Sequence, residues 1–591
     1  MLQYYPLLII FPPLLAGIII GLFGKRIGVK VYRIGVLGQA VALGVSLLTL
    51  HDVITHGAIN LSQLGFYIDR LSAVMSVLIT MVSTLISLFS IRYMQQERGV
   101  AWFRALLSLT TSVLLCMVSA SNLLLLFIFW QLLSGLLYLL SYNYSHPETM
   151  RGAFKTYTIL RVGDVAFLAG IILAYSVYGT LDFQQIFVRS ADVQARSAVT
   201  VITLLIFIGA MSKSAQFPMH IWLPDALYAP TPVHALLHAG IINAGGFLLN
   251  RLAPLYGQSS TSLHVVFVIG LITTLLGSSM MLIQNDIKKT LGYSTIGQMG
   301  YMIMECGLGA FGLAVFHLIA HGLFKATVFL NCGNVIHAAR QEPRLPTPIF
   351  LQRPAEAVSS LPPLRQFSLL TWLTGLITTL ILPLVLMLAA HGILKMPLAD
   401  SQGLVVFLFF IWVTSSQAIL SLYRLHGVAS WKVAGAMLLT LFLIAVTYLW
   451  AAEGFTHFLY PAPGEAASYF HAAAFPDWLF NAFVGANAFA ITLGWILIYA
   501  KGHGRTIQMP AWINALQVRL YVLFLNRLYL DVLYLKLGRR FTRFAYRVGL
   551  IVLSLILPLM MGLNGFSFVE IALFLGVAFM MPLLELIPWT Q

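Results

Sequence analysis

The sequence predicts an all-α polytopic membrane protein with about 16–17 transmembrane helices, several of them broken. Three observations lead to this fold class: 59% of the 591 residues are hydrophobic, only 9% are charged, and apolar stretches recur along the whole chain. A soluble protein carries about 25% charged residues, whereas a transmembrane helix needs about 20 mainly apolar ones. These numbers exclude an ordinary water-soluble fold.

The predicted spans follow one another with short polar connections. They cover residues 4–23, 32–51, 71–91, 103–119, 121–141, 157–177, 198–217, 231–251, 264–283, 290–308, 309–335, 367–391, 403–425, 431–452, 483–501, 548–565 and 567–588. This pattern divides the chain into N-terminal helices (1–100), a helical core (101–340), a second helix group (341–505) and a C-terminal part (506–591).

Charges between the spans predict how the chain is inserted. Basic loops favour the inner side of a membrane. If the N-terminus lies outside, Lys25, Arg26, Lys30 and Arg33 fall in the first inner loop, and the outer loops hold few cations. The same distribution argues against nucleic acid as a partner, because the net charge of +15 is spread between apolar spans rather than gathered on one soluble face.

Two segments differ from the apolar spans. Residues 337–366 are polar and proline-rich, which indicates an inner loop. Residues 512–547 combine Leu, Tyr and Val with many basic residues. This composition predicts an amphipathic helix along the inner membrane surface; an ordinary basic connector is the alternative.

Lys213 stands inside a predicted span, where a charged side chain costs about 2.5–3.5 kcal/mol or more. Pro218, five residues later, is expected to break the helix because it removes a backbone donor. Broken helices line ion sites in transporters, and burial favours a neutral lysine that can exchange its proton. The alternative is a lysine that extends to the inner surface.

Histidine and lysine recur at steps of four in two later spans. The residues are His234 and His238 in one span, and His317, His321 and Lys325 in the other. A step of four places side chains on one helix face, and histidine exchanges protons near neutral pH. The stripes therefore predict a proton path. The alternatives are hydrogen-bonded core histidines and a metal site. The sequence offers neither an HExxH motif nor a carboxylate in register with these histidines, so the metal site is the less favoured alternative.

Arg161 and Asp164 lie three residues apart on one predicted helix, where they can pair. With Lys155 nearly two turns earlier, they form either part of a relay or structural charge compensation. Both interpretations stay open from the residues alone.

Three further acids accompany the predicted spans. Asp69 lies at the start of a helix and Asp225 follows the break near Pro218, so each can cap a helix. Glu305 lies near the end of a span and is either a protonatable site or a residue of the outer surface.

These motifs resemble the antiporter-like family, which includes the large membrane subunit of respiratory complex I and subunits of Mrp sodium/proton antiporters. The matching stretches are Lys213-Ser-Ala-Gln-Phe-Pro, Trp222-Leu-Pro-Asp225-Ala, Arg161-Val-Gly-Asp164-Val, Asn285-Asp-Ile-Lys-Lys289 and His317…His321…Phe324-Lys325-Ala326, within residues 65–340. The resemblance implies an antiporter-like, proton-translocating core with two inverted repeats. It assigns Lys213, His238, His317, His321 and Lys325 to the relay.

The sequence departs from this family in two places. The family carries Trp-Glu in the fifth helix, whereas this chain has Trp130-Gln131, so the counter-charge of Lys213 is missing or supplied elsewhere. The second repeat lacks a Gly-Phe-Phe-Ser-Lys-Asp-like motif, and Ser415-Ser416-Gln417 is the nearest polar cluster. One half-channel is therefore expected rather than two.

Two stretches resemble the DabB subunit of the energy-coupled inorganic-carbon (DAB) transporter. They are His238-Ala-Gly-Ile-Ile-Asn243-Ala-Gly-Gly246 and Cys306-Gly-Leu-Gly-Ala-Phe311. In that family the membrane subunit pairs with DabA, a soluble zinc protein resembling a β-carbonic anhydrase. The resemblance implies a chain of the bacterial inner membrane, in contact with the lipid bilayer, that conducts protons inward and drives conversion of CO2 to bicarbonate by a DabA-like zinc partner.

This interpretation expects no cofactor and no catalytic site in the chain itself. Two alternatives remain: a proton-pumping subunit of NADH–quinone oxidoreductase, bound to other complex I membrane subunits, and a non-conducting scaffold that anchors a soluble enzyme.

Overall fold

The computed structural model describes residues 2–95, 99–142, 147–191, 196–226, 229–341, 454–480 and 511–534, with a few single positions between 439 and 536. Within them the fold is almost entirely helical, and nine helices are long and apolar enough to cross a membrane. The predicted all-α polytopic class is confirmed. The spans predicted at 367–391, 403–425, 431–452, 483–501, 548–565 and 567–588 lie outside the continuously described residues.

The helices follow the order that the apolar stretches predict. The first six are α1 (Phe11–Ile27), α2 (Val31–His56), α3 (Arg70–Tyr93), α4 (Val100–Val118), α5 (Leu123–Tyr142) and α6 (Pro147–Tyr178). They are followed by α7 (Phe183–Ser190), α8 (Arg196–Lys213), α9 (Thr231–Leu236), α10 (Ala244–Arg251), α11 (Ala253–Tyr256), α12 (Ser260–Leu282), α13 (Ile287–Gly307) and α14 (Phe311–Gln341). Short helices α15 (Thr456–Leu459) and α16 (Glu465–Ala473) precede α17 (Ala511–Leu525).

The pattern of apolar residues misses the short elements. A two-stranded antiparallel hairpin, β1 (Ile59–Leu61) with β2 (Phe66–Ile68), connects α2 to α3. The eight-residue helix α7 was also not predicted. Three-residue strands and two-turn helices contain too few residues to establish a hydrophobic period.

Small residues hold the helices of the core close together. A side-chain carbon at Gly277 of α12 would lie 2.5 Å from the backbone nitrogen of Gly297 of α13. Likewise, a side-chain carbon at Gly209 of α8 would lie 2.7 Å from Cβ of Phe167 of α6. Such contacts let helices approach without intervening side chains. They fix α8 against α6 and α13 against α12, which positions the polar residues described below.

The helix that carries Lys213 is broken, as predicted. Helix α8 ends at Lys213, Ala215 has a φ of +49°, and the Phe217–Pro218 peptide bond is cis. A single turn at Met219–Trp222 follows before α9 begins. The next helix is also irregular, because a π-helical turn at Leu237–Ile241 separates α9 from α10. π-turns inside helices frequently occur at functional sites.

The segment 512–547, predicted as an amphipathic helix, is helical from Ala511 to Leu525, and its position along the membrane surface stays a prediction. Helix α17 ends at Leu525, and Arg527, Leu528 and Tyr529 have φ values of 53°, 59° and 55°. L-residues rarely adopt this left-handed conformation, and a continuous helix cannot pass through it. The side chain of Arg527 binds acidic residues of the protein, as described below.

The described residues fall into two compact units. The first draws on residues 1–307, 314–333 and 520–591, and it contains the site described below. The second draws on residues 308–313 and 334–519. In the second unit Phe311 contacts Tyr469 edge-to-face at 5.4 Å, and the Tyr469 hydroxyl donates to Glu465. The four-part division predicted from the sequence stays a prediction.

Candidate functional site

Lys213 lies at the C-terminal end of α8 and is fully buried. Its ammonium donates to the backbone oxygen of Trp130 at 3.0 Å and to Ser134 Oγ, both on α5. The ammonium also lies 4.8 Å from the centroid of the Trp130 ring, a cation–π distance. The alternative of a lysine that extends to the surface is therefore wrong, because all these partners lie inside the protein.

The Trp130 side chain connects Lys213 to an ion pair on α6. The indole Nε1 donates to Asp164 Oδ1 at 2.8 Å, and Arg161 Nη1 lies 3.2 Å from Asp164 Oδ2. Arg161 also lies over the ring of Tyr157 at 4.5 Å. The Trp130 indole thus contacts both the Asp164 carboxylate and the Lys213 ammonium. Asp164 is the carboxylate that this arrangement offers as a counter-charge.

Gln131 follows Trp130 on α5 and is 8% exposed. Neither its amide oxygen nor its amide nitrogen has a hydrogen-bond partner within the described residues. The neutral amide at this position therefore makes no direct hydrogen bond to Lys213 in the part of the chain that the structure describes.

The two histidines of the irregular helix, His234 and His238, both contact the ring of Phe329. His234 donates from Nε2 to the Ala229 oxygen at 2.6 Å. His238, in the π-turn, stacks on Phe329 of α14 with ring centroids 4.2 Å apart and planes 9° apart. The ring centroids of His234 and Phe329 lie 5.8 Å apart. His234 and His238 are both fully buried.

A second group of ionisable residues, His317, His321 and Lys325, lies on α14, the helix whose Phe329 covers His238. We call these three residues the stripe and, together with His234 and His238, the polar line. Lys325 donates to Ser294 Oγ at 2.9 Å, and the rings of His317 and His321 lie 6.3 Å apart. His317 Nδ1 lies 3.1 Å from Glu305 Oε2, and its Nε2 lies 3.0 Å from Gln298 Oε1. Both nitrogens of His317 thus face oxygen atoms of α13, and Glu305 is a direct partner of the stripe.

Lys155 and Asp225 belong to a different cluster. Lys155 Nζ binds Asp225 Oδ2 at 2.5 Å and also binds Asp531. Arg527 Nη1 binds Asp225 Oδ1 at 2.7 Å and lies 3.4 Å from Asp531 Oδ2. Asp225 therefore binds two cations rather than capping a helix, and Lys155 compensates acids of this cluster rather than joining Arg161 and Asp164.

Sequence reasoning missed several residues of the site. These are Trp130 and Ser134, Ser294 and Gln298, Phe329, Arg527 and Asp531, and the buried His220 beside Phe217. Phe329 was detectable, because it stands four residues after Lys325 in the same stripe. The others become partners only through packing between distant segments.

A metal site at the histidines has no support in the described part of the chain. There, no three His, Cys, Asp or Glu side chains approach closely enough to hold a metal ion.

Comparison with known proteins defines the class. Residues 120–416 match the family model described as NADH:quinone oxidoreductase/Mrp antiporter, and residues 54–104 match that of the complex I chain 5 N-terminus. Together with the fold, these matches show that the chain belongs to the antiporter-like membrane subunits of this family. The resemblance inferred from the motifs is confirmed.

Two relatives illustrate which members of this family the chain is similar to. The chain is 38% identical to the probable inorganic carbon transporter subunit DabB1 of Halothiobacillus neapolitanus over 537 residues, covering 88% of this chain and 94% of that protein. It is 35% identical to NADH-quinone oxidoreductase subunit L of Neisseria meningitidis, over 63% of this chain and 58% of the relative.

Solved structures support the fold alone, since the identities are low. The Mrp complex from Dietzia sp. aligns with a TM-score of 0.52 and 20% identity, over 95% of this chain and 63% of its counterpart. The archaeal membrane-bound sulfane sulfur reductase also aligns with a TM-score of 0.52 and 20% identity, over 85% and 97% of the two chains.

Proposed function

We propose that this chain is the proton-conducting membrane subunit of an energy-coupled inorganic-carbon transporter. The observation that carries the proposal is Lys213, fully buried at the end of a broken helix and continued by buried histidines and Lys325. Ionisable side chains are rare inside membrane helices and mark ion paths. The similarity to DabB1 over nearly its whole length supports the inorganic-carbon assignment.

The relay begins at Lys213, which exchanges its proton with the region of His234 and His238. Lys325, His321 and His317 then carry the proton along α14. All of these residues belong to the first compact unit. Glu305 ends this line, because its carboxylate lies against His317 Nδ1.

Asp164 takes the place of the missing acid at position 131. Its carboxylate accepts from the Trp130 indole, and the backbone oxygen of Trp130 in turn accepts from Lys213. A nearby carboxylate stabilises the ammonium form of a lysine, and a competing cation weakens that effect. Arg161 is such a competitor, so a change in the Arg161–Asp164 pair would alter how readily Lys213 releases its proton.

The proposed partner is a DabA-like soluble zinc protein, which would perform the CO2 chemistry. Proton influx through the chain would drive that partner towards bicarbonate. The expected setting is the bacterial inner membrane, with the N-terminus outside, because the basic connection between α1 and α2, which carries Lys25 and Arg33 at its two ends, then faces inwards.

The test is the replacement Lys213→Ala in the complete complex, reconstituted in vesicles with an imposed pH gradient. We expect proton influx and bicarbonate accumulation to fall together while the partner stays bound. Lys25→Ala, at an exposed position in the last turn of α1, is the matched control and should behave like the wild type. Unchanged flux in a correctly assembled Lys213→Ala complex would leave the non-conducting scaffold as the function.

A complex I subunit is the second candidate, favoured by the 35% identity to subunit L. Purification of the native complex separates the two candidates. Co-purification of a zinc protein supports the inorganic-carbon transporter, whereas co-purification of NADH dehydrogenase subunits supports complex I.

A further inference from the structure

Phe329 occupies the next position of the polar stripe on α14. His317, His321, Lys325 and Phe329 follow one another at steps of four, so all four side chains project from one face. The first three are ionisable and the fourth is a fully buried aromatic ring. The polar line therefore meets an apolar residue where it reaches the irregular helix.

Helix α14 packs directly against the π-turn at this point. A side-chain carbon at Gly322 would lie 3.3 Å from the Ala239 oxygen and 3.5 Å from Asn243 Nδ2. The Phe329 ring covers His238 at 4.2 Å, nearly parallel to it. The ring thus lies over His238 at the contact between the irregular helix and α14.

Stacking, rather than hydrogen bonding, holds His238. Neither of its ring nitrogens has a hydrogen-bond partner within the described residues. A neutral imidazole stacks favourably on a phenyl ring, and an imidazolium gains a cation–π attraction to the same ring. This arrangement accommodates both protonation states without breaking a hydrogen bond, which suits a residue that receives and releases a proton.

We propose that Phe329 is the ion-selectivity gate of the proton path. The proposal rests on the proposed proton-conducting function and names the residue that excludes other cations. Apolar constrictions close to ions by excluding water. A hydrated Na⁺ or K⁺ cannot pass the stacked rings, whereas a proton reaches His238 by transfer between neighbouring groups and leaves it in the same way.

The test compares Phe329→Ala with wild type in vesicles that contain the complete complex. We expect the passive leak of protons to rise about tenfold, equivalent to a barrier lowered by ~1.4 kcal/mol, together with new uptake of radioactive sodium. Phe324→Ala, which removes a 64% exposed phenylalanine from the same helix, is the control and should leave both rates unchanged. If the Phe329→Ala complex shows the same proton leak and the same sodium uptake as the wild type, the proposal is overturned.

A second measurement does not depend on proton flux. In a background with Cys116, Cys306 and Cys332 replaced by alanine, His238→Cys is exposed to a small water-soluble thiol reagent. Labelling should be slow with Phe329 present and fast when Phe329→Ala is added; equal labelling would contradict the gate. Loss of the proposed function would instead show as unchanged flux in Lys213→Ala, whatever the labelling result.

Discussion

Arg527 donates from Nη1 to Asp225 Oδ1 at 2.7 Å, which joins the segment after α17 to the loop that follows the broken helix. Burial acts to lower the pKa of Arg527, but the neighbouring Asp225 and Tyr293 outweigh it. The pKa of Arg527 therefore lies above its ordinary value, and the guanidinium stays charged. Asp225 N donates to the Trp222 oxygen, and Trp222 Nε1 donates to the Ser212 oxygen beside Lys213.

We expect Arg527→Gln to destabilise this loop and slow transport. Loss of a hydrogen bond between charged groups costs about 1.5–3 kcal/mol, which lowers the unfolding temperature of the purified protein. In a double-mutant cycle with Asp225→Asn, the two effects should be non-additive because the residues share one contact. The exposed Arg519→Gln is the control. Additive effects would show that the pair is not coupled.

Trp130→Phe should reduce proton flux and lower stability, because it shortens a fully buried side chain and removes a donor to the buried Asp164. The phenyl ring keeps an aromatic face near Lys213, but the donor to Asp164 Oδ1 is lost. Asp164 then no longer has a fixed position relative to the ammonium. The measurement is pH-gradient-driven uptake in vesicles, with the exposed Trp102→Phe as control. Equal rates in both variants would show that the indole N–H has no role.

Gln131→Glu should slow transport at neutral pH and move its optimum to higher pH. A carboxylate next to Trp130 favours the ammonium form of Lys213, so release of the proton requires a more alkaline acceptor side. Gln131→Met, which adds no charge, serves as the control. A pH–rate profile identical in the acidic and neutral variants would mean that Asp164 alone sets the charge state of the lysine.

Glu305→Gln should lower proton flux by about tenfold or more, since it removes a proton acceptor from the end of the relay. The amide can still accept a hydrogen bond from His317, so the fold should persist. Glu305→Asp keeps the acid and should retain part of the flux. If the amide variant transports as well as the acid, Glu305 is only a structural partner of His317.

Asp69 joins two elements, and its two roles can be separated by substitution. Its Oδ1 accepts from Ser72 N at 2.8 Å as the cap of α3, and its Oδ2 binds Arg251 Nη1 at 2.6 Å. Asp69→Asn keeps the cap and loses the ion pair, whereas Asp69→Ala loses both. We expect the alanine variant to be less stable than the asparagine variant by about 1 kcal/mol in thermal unfolding. Equal stability would show that the cap contributes nothing.

Much of the site was predictable because membrane burial makes each ionisable residue informative. Lys213 interrupts one apolar span, and the steps of four between His234 and His238 and between His317, His321 and Lys325 place each group on one helix face. The break near Pro218 was predictable for a local reason, the missing backbone donor of proline. Neither inference needed knowledge of which helices are neighbours.

The partners of these residues were not predictable, because they depend on contacts between distant segments. Ser134 and Lys213 are separated by 79 positions, and Lys155 and Asp531 by 376. No local pattern links residues so far apart. The predicted capping role of Asp225 was wrong for the same reason: Arg527 and Asp225 meet only when the chain turns at Asn526–Tyr529.

The sequence by itself determined the membrane class, the order of the helices and the ionisable residues inside them, since burying charge in lipid is costly enough to mark each position. The tertiary structure decided which carboxylate approaches Lys213, which ring covers His238 and which acids hold Arg527. These are matters of packing between helices, where a few ångströms determine whether two groups bind.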